Sequence, residues 1–235
     1  LDYDFHIPSF QRGYRWEAKQ VVDLLEDLKE FQISLEEETA SASFYCLQPV
    51  VVYKRNNNSF DLLDGQQRLT TAYLILSYLE GKVADEIGEP KLYGLHFDSR
   101  VEDDDYVMQR QFKNDSMTHE SNVDFFYMRQ AYTVIEDWFS KNRLFKTPIA
   151  KLFAAPPKNK KDETNKDIRV IWYEVENKLE NAKKSAIQVF SRLNYGKIEL
   201  SKIELIKALI LQCDIYGSNK DKMRQWVLKV STDWD

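Results

Sequence analysis

One stretch, Leu62-Leu63-Asp64-Gly65-Gln66-Gln67-Arg68-Leu69-Thr70-Thr71, restricts the architecture more than any other part of the chain. Before it, Val50-Val51-Val52-Tyr53 and Phe60-Asp61-Leu62-Leu63 read as two short strands joined by an Asn-rich turn over residues 54–59. After it, Leu69, Tyr73, Leu76 and Leu79 recur at helical spacing until Gly81, so a helix is expected over residues 66–80. A strand, a tight Asp-Gly turn and a helix leave the first N–H groups of that helix unpaired. They line up with the positive end of its dipole, and together they make an anion site.

Two readings of this turn stand side by side. Asp64 and Gln67 have the spacing of a capping box, a purely structural device. That leaves Arg68 unexplained, since a cation in the first helical turn opposes the macrodipole at a cost of roughly 0.3–1 kcal/mol. It also leaves Gly65, Gln66 and the Thr70-Thr71 pair, which lower helix propensity where a stable start is wanted. A bound phosphate accounts for all of them.

At 235 residues the chain can bury a sizeable core. A hydrophobic content of 43% and a charged content of 30% are ordinary for a globular protein. The net charge of -5 argues against a generally basic, DNA-coating surface while leaving room for a local basic groove. Cys46 and Cys213 lie in apolar segments and read as reduced core residues of a cytoplasmic protein. No run of 18 apolar residues occurs, so no membrane span is expected. The chain opens without Met and is expected to be a piece of something longer.

In chain order, Phe5-His6-Ile7-Pro8 leads into a loop through Trp16 that carries Gln11, Arg12 and Arg15 among aromatics. Residues 17–34 form an amphipathic helix with Val21, Leu24, Leu25, Leu28 and Phe31 on one face. Residues 91–97 suggest a further strand, and the acid run 102–105 a solvated loop. A long helix over 122–143 carries an aromatic stripe through Phe126, Tyr127, Trp138 and Phe139. A Pro- and Lys-rich loop over 154–166 precedes a strand over 168–175. Helices are expected over 183–193, from Ser201 to Cys213, and over 219–230.

Three stretches taken together carry a resemblance. They are Ile7-Pro8-x-x-Gln11-Arg12-x-Tyr14-x-Trp16, then Asp64-Gly65-Gln66-Gln67-Arg68-Leu69-Thr70-Thr71, then Phe190-Ser191-Arg192-Leu193-Asn194-x-Gly196-Lys197-Ile198-x-Leu200 followed by Glu204-Leu205-Ile206-Lys207. In that order the chain resembles the N-terminal domain of GmrSD-type, modification-dependent restriction proteins. The resemblance implies an α+β fold with a ParB/sulfiredoxin-like mixed-sheet core and helical additions. A single nucleotide-binding domain is expected over 1–212, with its core in 1–100 and 166–200, a helical insertion over 101–165, and a helical extension over 213–235. It further implies a nucleoside-triphosphate-hydrolysing sensor that controls a DNA-cleaving C-terminal domain of His-Asn-His type. The alternative is a non-catalytic, nucleotide-responsive DNA-binding or protein-interaction module, and either can form a homodimer.

A nucleotide-hydrolysing site needs cationic clamps, a Mg²⁺ ligand and a group that orients water. Arg68, with Gly65 and Thr70 at the helix start, is expected to hold one phosphate, and Arg12 and Arg15 to reach in from the first loop. The guanidinium groups of Arg12 and Arg68 are expected to converge on one cleft. Gln11 is a candidate contact to base, ribose or phosphate, Asp64 the metal or water ligand, and Gln66 or Gln67 the group orienting water. Asn194 is either a left-handed helix cap or a further site residue. Tyr14 and Trp16 can stack on a base or close the core. No Walker loop, no G-x-G-x-x-G turn and no nucleophile elbow is present.

Overall fold

The computed structural model describes residues 3–37, 44–83, 92–98, 112–113, 123–154 and 166–175, together with 222, 225, 226 and 229. The helices expected over 183–193 and from Ser201 to Cys213, Asn194 with its whole motif, the acid run and residues 155–165 of the Lys-rich loop lie outside these residues, while the four described residues of the helix expected over 219–230 are helical.

The apolar runs on either side of the Asn-rich turn pair as antiparallel β2 (Phe44–Asn56) and β3 (Ser59–Asp64), closed by Asn57 and Asn58. β1 (Asp4–Ile7) lies parallel to β3 on one side and to β4 (Gly94–Phe97) on the other. β5 (Asp167–Val175) lies parallel to β2, which gives a mixed five-stranded sheet in the order β4-β1-β3-β2-β5. Among the described residues it is accompanied by α1 (Ala18–Glu36), α2 (Gln66–Leu79), α3 (Val123–Lys141) and α4 (Lys146–Phe153). The α+β class expected from the sequence is the class observed. The short α4 was not identified from sequence.

Strand alternation sends Phe5, Val50, Val52, Phe60 and Leu62 to one face of the sheet, where they share a core with the helices. Every α2 residue from Leu69 to Leu79 is buried, because the helix is covered by α3 and α4 as well as by the sheet. The other face carries a smaller cluster of Val51, Tyr53 and Leu63 with Phe10 and Val175 against it.

Three details depart from expectation. In α3 the buried stripe includes Phe125, Met128, Ala131 and Tyr132, while Phe126 and Tyr127 are only partly covered. Cys46 is exposed rather than in the core, because the two-residue period of β2 turns it away from buried Leu47. The capping box at Asp64 and Gln67 does not form. Gly65 is the N-cap, in the left-handed region at φ 96°, and α2 begins without a side-chain cap.

On the outer face near the β1 and β4 edge, the parallel register sets His6 opposite His96, with their rings stacked 4.6 Å apart. Arg55 bonds Asp61 through Nε at 2.5 Å and also pairs with Asp98, which lies 3.5 Å from His6 Nδ1. Burial pushes the Asp98 carboxyl up, but the His6 bond and the Arg55 charge outweigh it and hold it below its ordinary value of 3.8. A depressed folded pKa means that the contribution is present above that value and is lost as pH falls through the folded one. Asp98→Asn should therefore be less stable than the parent at pH 7, with the two converging below about pH 4. Urea midpoints at the two pH values measure this, and a gap that stays constant would show that Asp98 is not the linked group.

Candidate functional site

The first loop, residues 8–16, is tied along the end of β3 and the first turns of α2. The Gln11 backbone N–H donates to Pro8 O at 3.0 Å, and its buried side chain donates through Nε2 to Leu62 O at 2.6 Å. Gln66 Nε2 donates to Arg12 O at 2.6 Å, and Gln67 Nε2 to Gly13 O at 2.9 Å. Gln67 Oε1 accepts from the backbone N–H of Arg15 at 2.8 Å and of Trp16 at 3.2 Å. One turn further on, the Thr71 hydroxyl donates to Gln67 O at 2.9 Å, which leaves its lone pairs for Tyr14 OH, also at 2.9 Å. Burial pushes the Tyr14 phenol well up, in keeping with a neutral donor.

This is where the first two motifs meet, and the contact explains residues that a bound phosphate was expected to explain. Gln66, Gln67 and Thr71 stand at the start of α2 because their side chains bond a loop more than fifty residues away in sequence, with Gln66 Oε1 left buried and without a partner. Gln11 and Gln67, named as ligand and water-orienting candidates, hold backbone. Tyr14 closes the core at 1% exposure. Thr70 is equally buried, inside α2.

Arg15 turns away from the start of α2. Its Nη1 lies 2.5 Å from Asp124 Oδ1 and 2.7 Å from Tyr14 O, with Tyr127 beneath the guanidinium. Asp124 is 2% exposed and packs against Gly13 so closely that a Cβ there would stand 1.6 Å from its Oδ1. Sequence reasoning missed Asp124. An acid in the first turn of a helix reads as a partner of the macrodipole, and only the Gly13-x-Arg15 pair hints at something else.

Arg68 has a different setting. Its side chain is 14% exposed, Nη1 donates to Leu47 O at 3.1 Å, and Nη2 is 3.9 Å from Asp64 Oδ2. Burial pulls its pKa below the ordinary value, with the Asp64 charge opposing. It lines a cavity of about 280 Å³ whose walls include Trp16, Asp23, Asp27, Tyr45 and Gln48. Arg12 is exposed, does not line this cavity, and has no side-chain partner among the described residues. The cavity that receives one arginine is thus not one that both line. Gly65 is required by its φ of 96°, and a Cβ there would meet Val50 Cγ2 at 3.2 Å. No group of three His, Cys, Asp or Glu side chains disposed to hold a metal occurs among the described residues.

Residues 1–211 match the family model described as GmrSD restriction endonuclease, N-terminal domain. No curated protein matches the chain. The family match covers most of the sequence, and the chain belongs to this family.

Proposed function

We propose that this domain of a restriction protein binds a nucleoside triphosphate with Mg²⁺ at the start of α2, hydrolyses it, and couples that event to detection of modified DNA by the full-length protein. The observation that carries the reading is the pairing of an uncapped helix start at left-handed Gly65 with the largely buried cation Arg68. Unpaired N–H groups and a partly desolvated guanidinium in the same helical turn both gain from a phosphate. Mg²⁺ on a triphosphate needs only one or two carboxylates from the protein, and Asp64, with Asp23 and Asp27 on the cavity wall, fits that donor set. Gly65 lets the chain approach closely, Arg68 holds charge, and the aromatic face of Trp16 offers stacking. Arg12, exposed at the loop, is free to close over a ligand. A ParB-like core, DNA, and a C-terminal His-Asn-His nuclease belong to the same proposal. No helix among the described residues is long and apolar enough to cross a membrane.

One observation favours a second reading, in which nucleotide only switches conformation. Both ends of the Gln67 amide are occupied by Gly13, Arg15 and Trp16 main chain, and the Gln66 Nε2 by Arg12 O, which leaves only the buried Gln66 Oε1 without a partner. A ligand at Arg68 would then act on the loop through the neighbouring Gln67.

Nucleotide titration of the parent and of Arg68→Ala tests the site. The variant should bind about 1.5–3 kcal/mol more weakly, roughly 10- to 150-fold. Stability of the free domain should change by under about 1 kcal/mol, since the lost bond to Leu47 O is offset by removing a desolvated cation from a helix start. Equal affinity of the two proteins would return Arg68 to a structural role. Phosphate release by the parent separates hydrolysis from switching.

A further inference from the structure

The strand beside the start of α2 contains a residue that the fold alone does not explain. Gln48 has φ 69°, and among the described residues it is the one non-glycine in the left-handed region. It sits where β2 carries an extra residue against β5, since Cys46 pairs with Arg169 and Pro49 with Ile171. Left-handed backbone disfavours a residue with a Cβ, and a following proline restricts its predecessor to extended backbone. Glycine would hold this bulge without strain. Strain of this kind gathers at sites where a side chain has a task, and a bulge re-aims the side chain it carries. Leu47 is buried while Gln48 and Pro49 are both exposed, so the alternation of β2 is broken here.

The bulge lies against the candidate site. Leu47 O accepts from Arg68 Nη1 at 3.1 Å, and Pro49 O is 3.4 Å from where a Cβ on Gly65 would stand. Gln48 joins these two residues and lines the same cavity as Arg68. Its amide makes no hydrogen bond among the described residues. The glutamines of the Asp-Gly turn are placed differently. Gln67 is held at both ends by the first loop, and Gln66 Oε1 is buried. The amide able to meet a water beside Arg68 therefore comes from β2.

We propose that Gln48 orients the water that attacks the terminal phosphate of the nucleotide, which rests on the hydrolysis reading above. Its Oε1 accepts a hydrogen bond from the water while its Nε2 donates to a terminal phosphate oxygen. A neutral amide does this without taking a proton. The water oxygen bonds to the terminal phosphorus, and the bond from that phosphorus to the bridging oxygen breaks, its electron pair leaving on the nucleoside diphosphate. One water proton stays on the inorganic phosphate and the other is released to solvent. Arg68 opposes the negative charge that develops on the phosphate oxygens.

The test compares the parent, Gln48→Gly and Gln48→Asn in three measurements: phosphate release from ATP, GTP, CTP and UTP with Mg²⁺, binding of non-hydrolysable analogues, and thermal melting. Gln48→Gly should lose about 100-fold or more in phosphate release at saturating nucleotide, the scale for removing one positioned group from a transition state. Its affinity for the analogue should stay within about threefold of the parent, since the contact matters in the transition state. Its melting temperature should be level or higher, because glycine relieves the left-handed backbone. Asparagine tolerates that backbone and keeps a shorter amide, so the rate of Gln48→Asn should lie between the other two. Parent rates in both variants would overturn the role of Gln48 and leave hydrolysis standing. An affinity loss as large as the rate loss would make Gln48 a binding contact, and lower melting temperatures in both variants would make it structural; either overturns the proposal. A parent that binds the analogue and releases no phosphate would remove the hydrolysis reading and this proposal with it. A parent that binds no nucleotide would remove the site itself.

Discussion

Gly13→Ala is expected to destabilise the domain by about 3 kcal/mol or more, the sum of an overpacking cost and partial loss of a buried ion pair. The new Cβ falls 1.6 Å from Asp124 Oδ1, so something must move. If Asp124 retreats, it withdraws from Arg15 in a place where it is 2% exposed. If the loop retreats instead, Gln67 loses its bonds to Gly13 O and to the N–H groups of Arg15 and Trp16. Neither route is cheap. A urea midpoint close to that of the parent, with an unchanged slope, would mean that Asp124 does not pack over Gly13.

Gln67→Leu should have an effect of similar size, about 2–4 kcal/mol, since three backbone groups lose a partner and each buried unpaired group costs about 1–3 kcal/mol. Leucine fills much of the same volume, so the loss reports hydrogen bonds rather than a cavity. Gln67→Glu refines the reading, because a carboxylate keeps the acceptor for Arg15 and Trp16 N–H but cannot donate to Gly13 O. It should fall between the parent and Gln67→Leu. If Gln67 served only to orient water, Gln67→Leu would keep its stability and lose phosphate release alone. Thermal denaturation of the three proteins distinguishes the cases.

The sequence made the strand, Asp-Gly turn and helix legible because each carries a local signal: short apolar runs on either side of an Asn-rich turn in β2 and β3, a glycine at the turn, and apolar spacing in α2. It misled where a local pattern had a long-range competitor. Asp64 and Gln67 have the spacing of a capping box, but left-handed Gly65 takes the cap position and Gln67 reaches the first loop instead. Nothing local distinguishes an amide that caps its own helix from one that binds a loop far away in sequence. Arg15 and Arg68 look alike in sequence and differ only in their surroundings, with Asp124 beside one and a cavity beside the other. Cys46 was misplaced because its neighbours are apolar, although a strand period of two sends alternate residues to opposite faces. The resemblance was legible from three motifs in order, and the first two meet in the fold.

The central claim, a triphosphate at the start of α2, is tested most directly by a crystal structure of the chain grown with a non-hydrolysable nucleoside triphosphate and Mg²⁺. The account predicts phosphate oxygens within about 3 Å of the Arg68 guanidinium and of the first backbone N–H groups of α2, with Asp64 facing the metal. Nucleotide bound elsewhere, or an Arg68 still held only by Leu47 O and Asp64 in crystals saturated with ligand, would contradict it.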